Sequence, residues 1–351
     1  MRELTFGLIG GTGLGDAIAA EWGAGAGGSA TARRHEVDTP FGSPSGAIVE
    51  LQFGRVRVLF LARHGAGHVI PPSQIPFRAN IFALKKLGCT HILASGAVGS
   101  LREEFAPKDL VVCDQVIDKT TRRVGTFYDR AAVHVEFAEP FCPILRRLLL
   151  SAASSLTPDD VAQAELGLPT PPMVGKSKVH DGGCYVTMEG PAFGTRAESL
   201  MHRIWGGDLI GMTAMPEAKL AREAEIPYAL LAMVTDYDAW RPRPVPTPPA
   251  GDVQHAAADP TLKAIESMQT QVVPDSHSLL AEIRENLHQA TTAAVTLIRT
   301  AMEQADQHAD ALWKCPAIDS LENAIWSDRS RIDPVERDRL GVLWGKYLVN
   351  K

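Results

Sequence analysis

Short apolar runs that stop abruptly at glycine, hydroxyl or charged residues recur along the first two thirds of the chain. Leu4 to Ile9 breaks into Gly10-Gly11-Thr12-Gly13-Leu14-Gly15, Val56 to Ala62 into Arg63-His64-Gly65, and His91 to Ala94 into the small residues Ser95 to Ser100. Cys184 to Met188 ends at Glu189-Gly190-Pro191-Ala192-Phe193-Gly194, Asp208 to Gly211 at Met212-Thr213, and Tyr228 to Val234 at Thr235-Asp236-Tyr237-Asp238. Apolar runs of this length bounded by turn formers read as buried strands; Leu110 to Ile117 is another. Apolar positions at helical spacing fill most intervals. They predict helices over Ser73 to Lys86, Pro140 to Ser151, from Thr195, up to about Ala224, and over Ser276 to Ala309, where Leu279, Ile283, Leu287, Ala290, Val295, Ile298 and Met302 form one stripe. Strands alternating with helices predict an α/β fold, and in open α/β sheets ligands bind outside the carboxyl ends of the strands. The strand-end loops are therefore expected to share one site.

Composition narrows the partners. The chain has 351 residues, 45% of them hydrophobic, which is ample for a full core. A net charge of -6 provides no basic field for nucleic acid or an anionic membrane, so a small-molecule ligand is expected. No stretch approaches the roughly 18 apolar residues of a membrane span, and the first residues enter a strand without a leader pattern. The five cysteines, Cys89, Cys113, Cys142, Cys184 and Cys315, include no C-x-x-C pair and read as reduced thiols of a cytoplasmic protein. Residues 154–178 and 241–275, both rich in proline, read as a surface insertion and a lid-like loop.

The candidate chemistry has two signs. Thr12, Arg63, His64, the backbone at Gly96-Ala97, and Thr213 are all expected to donate to an anion. Asp236 and Asp238 are acceptors, brought together either by strand periodicity or by a turn; the plainer alternative is one helix cap and one solvated carboxylate. An anion-holding end facing a carboxylate end suits a reaction in which an oxyanion attacks and a basic leaving group takes a proton. The spacing Gly11-x-Gly13-x-Gly15 does not match the dinucleotide fingerprint, and no metal, P-loop or G-x-S-x-G signature is present.

Five segments together resemble one family: GLIGGTGLGD at 7–16, LARHG at 61–65, GCTHILASGAVGSLREE at 88–104, YVTMEGPAFGTRAESL at 185–200 and MVTDYDAW at 233–240. It is the trimeric purine nucleoside phosphorylase family, in its 5'-methylthioadenosine phosphorylase branch, and the resemblance spans about residues 4–305. It implies one α/β domain over 1–309 around a mixed, partly closed sheet flanked by helices, assembled as a homotrimer, with inorganic phosphate as co-substrate and neither cofactor nor metal. The implied phosphate site is Thr12, Arg63, His64, Gly96, Ala97 and Thr213. Phe193 matches the aromatic against the purine, Met212 the residue over the ribose, and His134 a histidine lent to the neighbouring subunit. Asp236 and Asp238 match the pair on the purine N7 and 6-amino edge, and Asp236 with Gly194 favours a 6-amino purine. To protonate N7 the Asp236 carboxyl has to carry a proton, which burial and neighbouring Asp238 are expected to favour.

The chain departs from the family at Gly96, where a hydroxyl residue is usual and Ser95 is the nearest substitute, and at Ala192, where an arginine is common. The C-terminal extension, 310–351, matches nothing in the resemblance; its tryptophans Trp313, Trp326 and Trp344 predict docking on the body or across a subunit boundary. Two rival functions stand beside the first: phosphorolysis of a 6-oxopurine nucleoside, and a nucleoside-binding protein without catalysis.

Overall fold

The computed structural model describes residues 3–11, 13–14, 17–18, 33–157, 171–241 and 276–348. Thr12, the middle of the 154–178 insertion and nearly all of the 241–275 segment lie outside the described residues. Among the described residues, twelve strands form one mixed sheet: β1 (Thr5–Gly10), β2 (Arg33–His35), β3 (Ile48–Phe53), β4 (Val56–Ala62), β5 (His91–Ser100), β6 (Leu110–Val112), β7 (Gln115–Asp118), β8 (Met173–Val174), β9 (Ser177–Asp181), β10 (Cys184–Thr187), β11 (Leu209–Gly211) and β12 (Tyr228–Tyr237). The main path runs β2-β3-β4-β1-β5-β12-β6-β9-β8. β1 is buried at every residue and lies parallel between β4 and β5, the place where a continuous apolar run fits.

β5 organises the sheet. Its first half pairs with β1 in parallel, β12 runs parallel along it from Ile92 to Ser100, and its end also takes β11 antiparallel at Gly99 and Ser100. β11 continues through β10 to β7, so the sheet branches and partly closes on itself. The stretch Ser95 to Ser100, expected as a loop, is therefore strand: its small side chains leave room on the sheet surface while its backbone stays paired. Asp236 is likewise within β12 rather than beyond it. The expected strand Leu110 to Ile117 is divided at Cys113-Asp114 into β6 and β7, which serve different parts of the sheet.

Each face of the sheet carries its own core. Leu230, Ala232 and Val234 of β12 point to one face and Ala229, Leu231 and Met233 to the other, the period-two alternation of a strand covered on both sides. The first face is packed by α1 (Phe77–Lys86) and α4 (Ala214–Glu223), the second by α2 (Pro143–Leu156) and α5 (Ser276–Ala305). α3 (Arg196–Ile204) starts with a reciprocal cap: the Glu198 amide donates to Thr195 Oγ1 at 3.2 Å, and the Thr195 amide donates to the Glu198 carboxylate at 2.8 Å. Proline sets two helix starts: Pro76 precedes α1, so only Pro72–Gln74 of the expected earlier turn forms, as a 3-10 turn, and Pro143 opens α2. Among the described residues no helix is long and apolar enough to cross a membrane.

The C-terminal segment is divided between the faces: α6 (Ala309–Leu312) and Cys315 pack on the second, whereas the stretch from Leu321 on, with α7 (Pro334–Arg339) and α8 (Gly341–Leu348), packs on the first. Leu321, Ile325, Leu340, Leu343 and Trp344 join that core, and Trp344 is fully buried beside Tyr128. Lys346 Nζ and the Tyr347 hydroxyl both reach the Glu225 carboxylate, at 2.8 and 2.5 Å. Trp313 is half-buried, whereas Trp326 is 71% exposed and lies against His134.

Candidate active site

A cavity of about 690 Å³ opens at the carboxyl ends of β4, β5, β11 and β12. It brings together Arg63, His64, Gly96, Ala97, Phe193, Met212, Thr213, Asp236 and Asp238, which stand far apart in the sequence. His134 is elsewhere, on the outer surface; its amide donates to the Ala324 carbonyl at 2.9 Å and its ring meets Trp326. Residues not foreseen also line the cavity: Val69 to Pro72 after β4, and Ile283, Arg284 and Leu287 from α5.

The deep end is built on Arg63, whose side chain is fully buried. Its Nε donates to Glu217 Oε2 at 2.8 Å, Nη2 to Glu217 Oε1 at 2.7 Å and Nη1 to the Ser95 carbonyl at 2.8 Å. A guanidinium has five N-H donors, so one hydrogen on each Nη remains for the cavity it lines. Burial alone would lower the Arg63 pKa, but the Glu217 carboxylate outweighs it and raises it further. Glu217, itself fully buried on α4, also accepts from the Tyr228 hydroxyl at 2.9 Å. Its signal in the sequence is a carboxylate in the Met215-Pro216-Glu217-Ala218 start of an otherwise apolar helix face.

His64 takes a role different from the expected donor. Its Nδ1 is 2.8 Å from the Ile70 carbonyl, which can only accept, so Nδ1 carries the hydrogen. Burial, followed by the charges of Arg63 and His68, pulls its pKa down to about 4, against the Ile70 bond that raises it. At neutral pH the ring is uncharged and Nε2 is an acceptor. Thr213 stands across from Gly96, where a Cβ would meet its hydroxyl at 3.4 Å. Ser95 supplies its carbonyl to Arg63 rather than a hydroxyl to the cavity, since its side chain is not part of the wall.

The other end depends on a break in β12. Val234 is opposite Val98 and Asp236 opposite Gly99, so Thr235 is an inserted bulge residue. Its carbonyl accepts from buried Asn286 Nδ2 of α5 at 2.8 Å, which meets the hydrogen-bond demand the bulge creates. The bulge presents Asp236 and, two residues on, Asp238 to the same cavity. A Cβ at Gly99 would meet Ile210 Cγ2 at 3.1 Å, Asp238 Cβ at 3.3 Å and Asp236 Oδ2 at 3.7 Å, so the missing side chain leaves the carboxylates their space. Thr235 Oγ1 lies 3.1 Å from the Val98 carbonyl and 2.8 Å from Asp236 Oδ1. The hydroxyl has one proton. It can be donated to the Val98 carbonyl or to Asp236 Oδ1, both of which accept.

Between the ends, Arg123 ties two loops together. It donates to Glu189 Oε1 at 2.8 Å, to the Met212 and Met215 carbonyls at 2.7 and 2.8 Å, and to the Glu189 carbonyl at 2.6 Å. Met212 is further confined by Gly190, at φ 68°, where a Cβ would lie 2.5 Å from its sulfur. Phe193 stands at the rim, 65% exposed, and Gly194 beside it adds no side chain to the cavity. The arrangement can hold an anion deep, a flat apolar group under Phe193 and Met212, and a hydrogen-bond donor or proton acceptor at Asp236 and Asp238.

Known proteins share this architecture. The family described as the Phosphorylase superfamily matches residues 5–283. S-methyl-5'-thioadenosine phosphorylase of Synechocystis sp. is 50% identical over 207 residues, 59% of each chain. The enzyme of that name from Thermosynechococcus vestitus is 39% identical over 88% of this chain and 90% of its own. Among solved structures, a methylthioadenosine phosphorylase from an Antarctic soil metagenomic library is 35% identical, with a TM-score of 0.72, covering 97% of this chain and 99% of its own. Methylthioadenosine phosphorylase from Schistosoma mansoni in complex with tubercidin is 31% identical, with a TM-score of 0.68 over 92% of this chain and 99% of its own. With a match that runs from β1 into α5 and relatives aligned along nearly the whole chain, this protein belongs to the Phosphorylase superfamily, in its S-methyl-5'-thioadenosine phosphorylase branch.

Proposed function

We propose that the chain catalyses the phosphorolysis of 5'-methylthioadenosine to adenine and the 1-phosphorylated methylthio sugar. The observation that carries this reading is a single cavity with a buried arginine, paired to Glu217 and keeping one hydrogen on each Nη, at one end and two carboxyl groups at the other. Phosphate, held by Arg63, Thr213 and the backbone at Gly96-Ala97, with Thr12 from the first glycine loop, attacks the anomeric carbon as the glycosidic bond lengthens. Asp236 gives its proton to N7, so the purine departs neutral, and Asp238 accepts from the 6-amino group. Neutral His64, with Nε2 as acceptor, suits the P-OH of monohydrogen phosphate or a sugar hydroxyl. Phosphate is a substrate here, and the reading needs no cofactor or metal.

Ile283 and Leu287 line the cavity from α5 with apolar side chains, which supports a methylthio group over a hydroxyl at the 5' end. The lack of a side chain at Gly194 fits a 6-amino purine. His134, outside its own cavity and next to exposed Trp326, is suited to lending its ring to a neighbouring subunit of a homotrimer. Five unpaired thiols fit a cytoplasmic enzyme.

Base release from methylthioadenosine, adenosine, methylthioinosine and inosine, with and without phosphate, tests the reading. Adenine is expected, only when phosphate is present, and fastest from methylthioadenosine. Preferential release of hypoxanthine would move the assignment to 6-oxopurines. Binding without turnover would leave a nucleoside-binding protein.

A further inference from the structure

Away from the cavity, two thiols meet where the C-terminal segment crosses the start of α2. Cys142 is the N-cap residue of α2, and Cys315 precedes the 3-10 turn Pro316–Asp319. Their sulfurs are 2.9 Å apart, each residue is 3% exposed, and 173 positions separate them in the chain. Both backbones are anchored: the Cys142 amide donates to the Tyr228 carbonyl at 2.8 Å, and the Cys315 amide to the Leu312 carbonyl at 3.2 Å.

We propose that Cys142 and Cys315 form a redox modification site, which a peroxide converts to a disulfide that fastens the C-terminal segment to the body. The pair differs from the other thiols in chemistry as well as position. The contact with Cys315, then the Leu145 and Ile144 amides of the first turn of α2 and the charge of Arg222, hold Cys142 below the ordinary thiol value against burial. Burial pushes Cys89 up to about 12, Cys184 up to about 11 and Cys113 higher still. Cys142 is thus the more acidic thiol, beside a second one placed to resolve it.

The chemistry balances with hydrogen peroxide as oxidant. The Cys142 thiolate attacks one peroxide oxygen; the S-O bond forms, the O-O bond breaks, and the departing hydroxide takes a proton to become water. The Cys315 sulfur then attacks the sulfenic sulfur, its own proton leaving with the hydroxyl group as a second water while the S-S bond forms. Two thiols and one peroxide become one disulfide and two waters. The bond would join positions 173 apart in the chain and restrain the segment that carries α6, α7 and α8.

The full-length protein, treated with hydrogen peroxide and then denatured and alkylated without reduction, should lose two of its five titratable thiols and about 2 Da of mass. Digestion should yield one linked peptide pair containing positions 142 and 315, and the thermal midpoint should rise and return on adding dithiothreitol. Cys315→Ser and Cys315→Ala, checked for native circular dichroism, should show neither the linked pair nor the midpoint rise, and Cys142 should accumulate a dimedone-reactive sulfenic acid. Five thiols left after treatment, a disulfide between other positions, or a linked pair formed only after denaturation would overturn the proposal. A linked pair that leaves the midpoint unchanged or lowers it would overturn the fastening role.

Discussion

The two ends of the cavity are built on opposite principles. At the deep end Arg63 and Glu217 are both fully buried and already paired, with Tyr228 and the Ser95 carbonyl completing the network. At the outer end Asp236 and Asp238 are half-buried and Phe193 is largely exposed. A buried cation needs its counter-charge before any ligand arrives, because an unpaired ion in the interior costs several kcal/mol. Hydrogen-bonding groups at a rim stay solvated until the ligand covers them, so this end can be shaped by the ligand and by other elements. The deep end is consequently fixed before any ligand arrives, while the rim keeps freedom to adjust to one.

The comparison breaks most visibly at Glu217. Glu217→Gln leaves Arg63 as an uncompensated buried charge and is expected to cost about 3–5 kcal/mol of stability. Urea unfolding checks this, and saturating phosphate should recover more of the loss in the variant than it adds to the parent, since the anion can then substitute for the carboxylate. An equal phosphate effect in both would separate Glu217 from the anion site. Asp236→Asn, by contrast, should leave the urea midpoint within about 0.5 kcal/mol of the parent. It should lower kcat by about 100-fold or more, the share general acid catalysis commonly provides. Unchanged turnover would remove Asp236 from the mechanism.

The smallest expected effect is on pH dependence. His64 and His91 each titrate at about 4 in the fold against 6.5 in the ordinary state, both through burial. The unfolded chain therefore binds more protons between those values, and both histidines make stability fall as pH drops from 6.5 towards 4. Glu223, raised to about 7 by burial, acts in the opposite sense: its contribution is fully present below 4.5 and is lost as pH rises through 7. His64→Gln should make the net acid-side decline shallower, read as urea midpoints at pH 7.5, 6 and 4.5. A steeper decline would contradict a neutral His64 at the deep end.

Much of the site was legible because strand ends carry local signatures. Arg63-His64 after β4, Met212-Thr213 after β11 and the aspartate pair at the end of β12 could each be placed at a carboxyl end from the apolar run before it. Glu217 was not marked, because a carboxylate on a helix reads as solvent-facing until a buried arginine is known to oppose it. Asn286 and Leu287 were hidden within a regular apolar stripe on α5. Ser95 to Ser100 read as a loop because small residues lack strand propensity; the pairing of β5 with β12 and β11 overrides it. Trp344 went into the core as its size suggests, while Trp326 stayed at the surface beside His134.

By itself the sequence determined the alternation of strands and helices, the order of the strand ends and the chemical types gathered there, since these follow from local periodicity and residue identity. The tertiary structure decided which of those groups meet. The branching of β5, the bulge at Thr235 supported by Asn286, the pairing of Arg63 with Glu217 across 154 positions and the contact of Cys142 with Cys315 across 173 all depend on pairing between distant segments. Local pattern carries no record of such pairing. It is set by how the two faces of the sheet are filled, and that is a property of the whole chain.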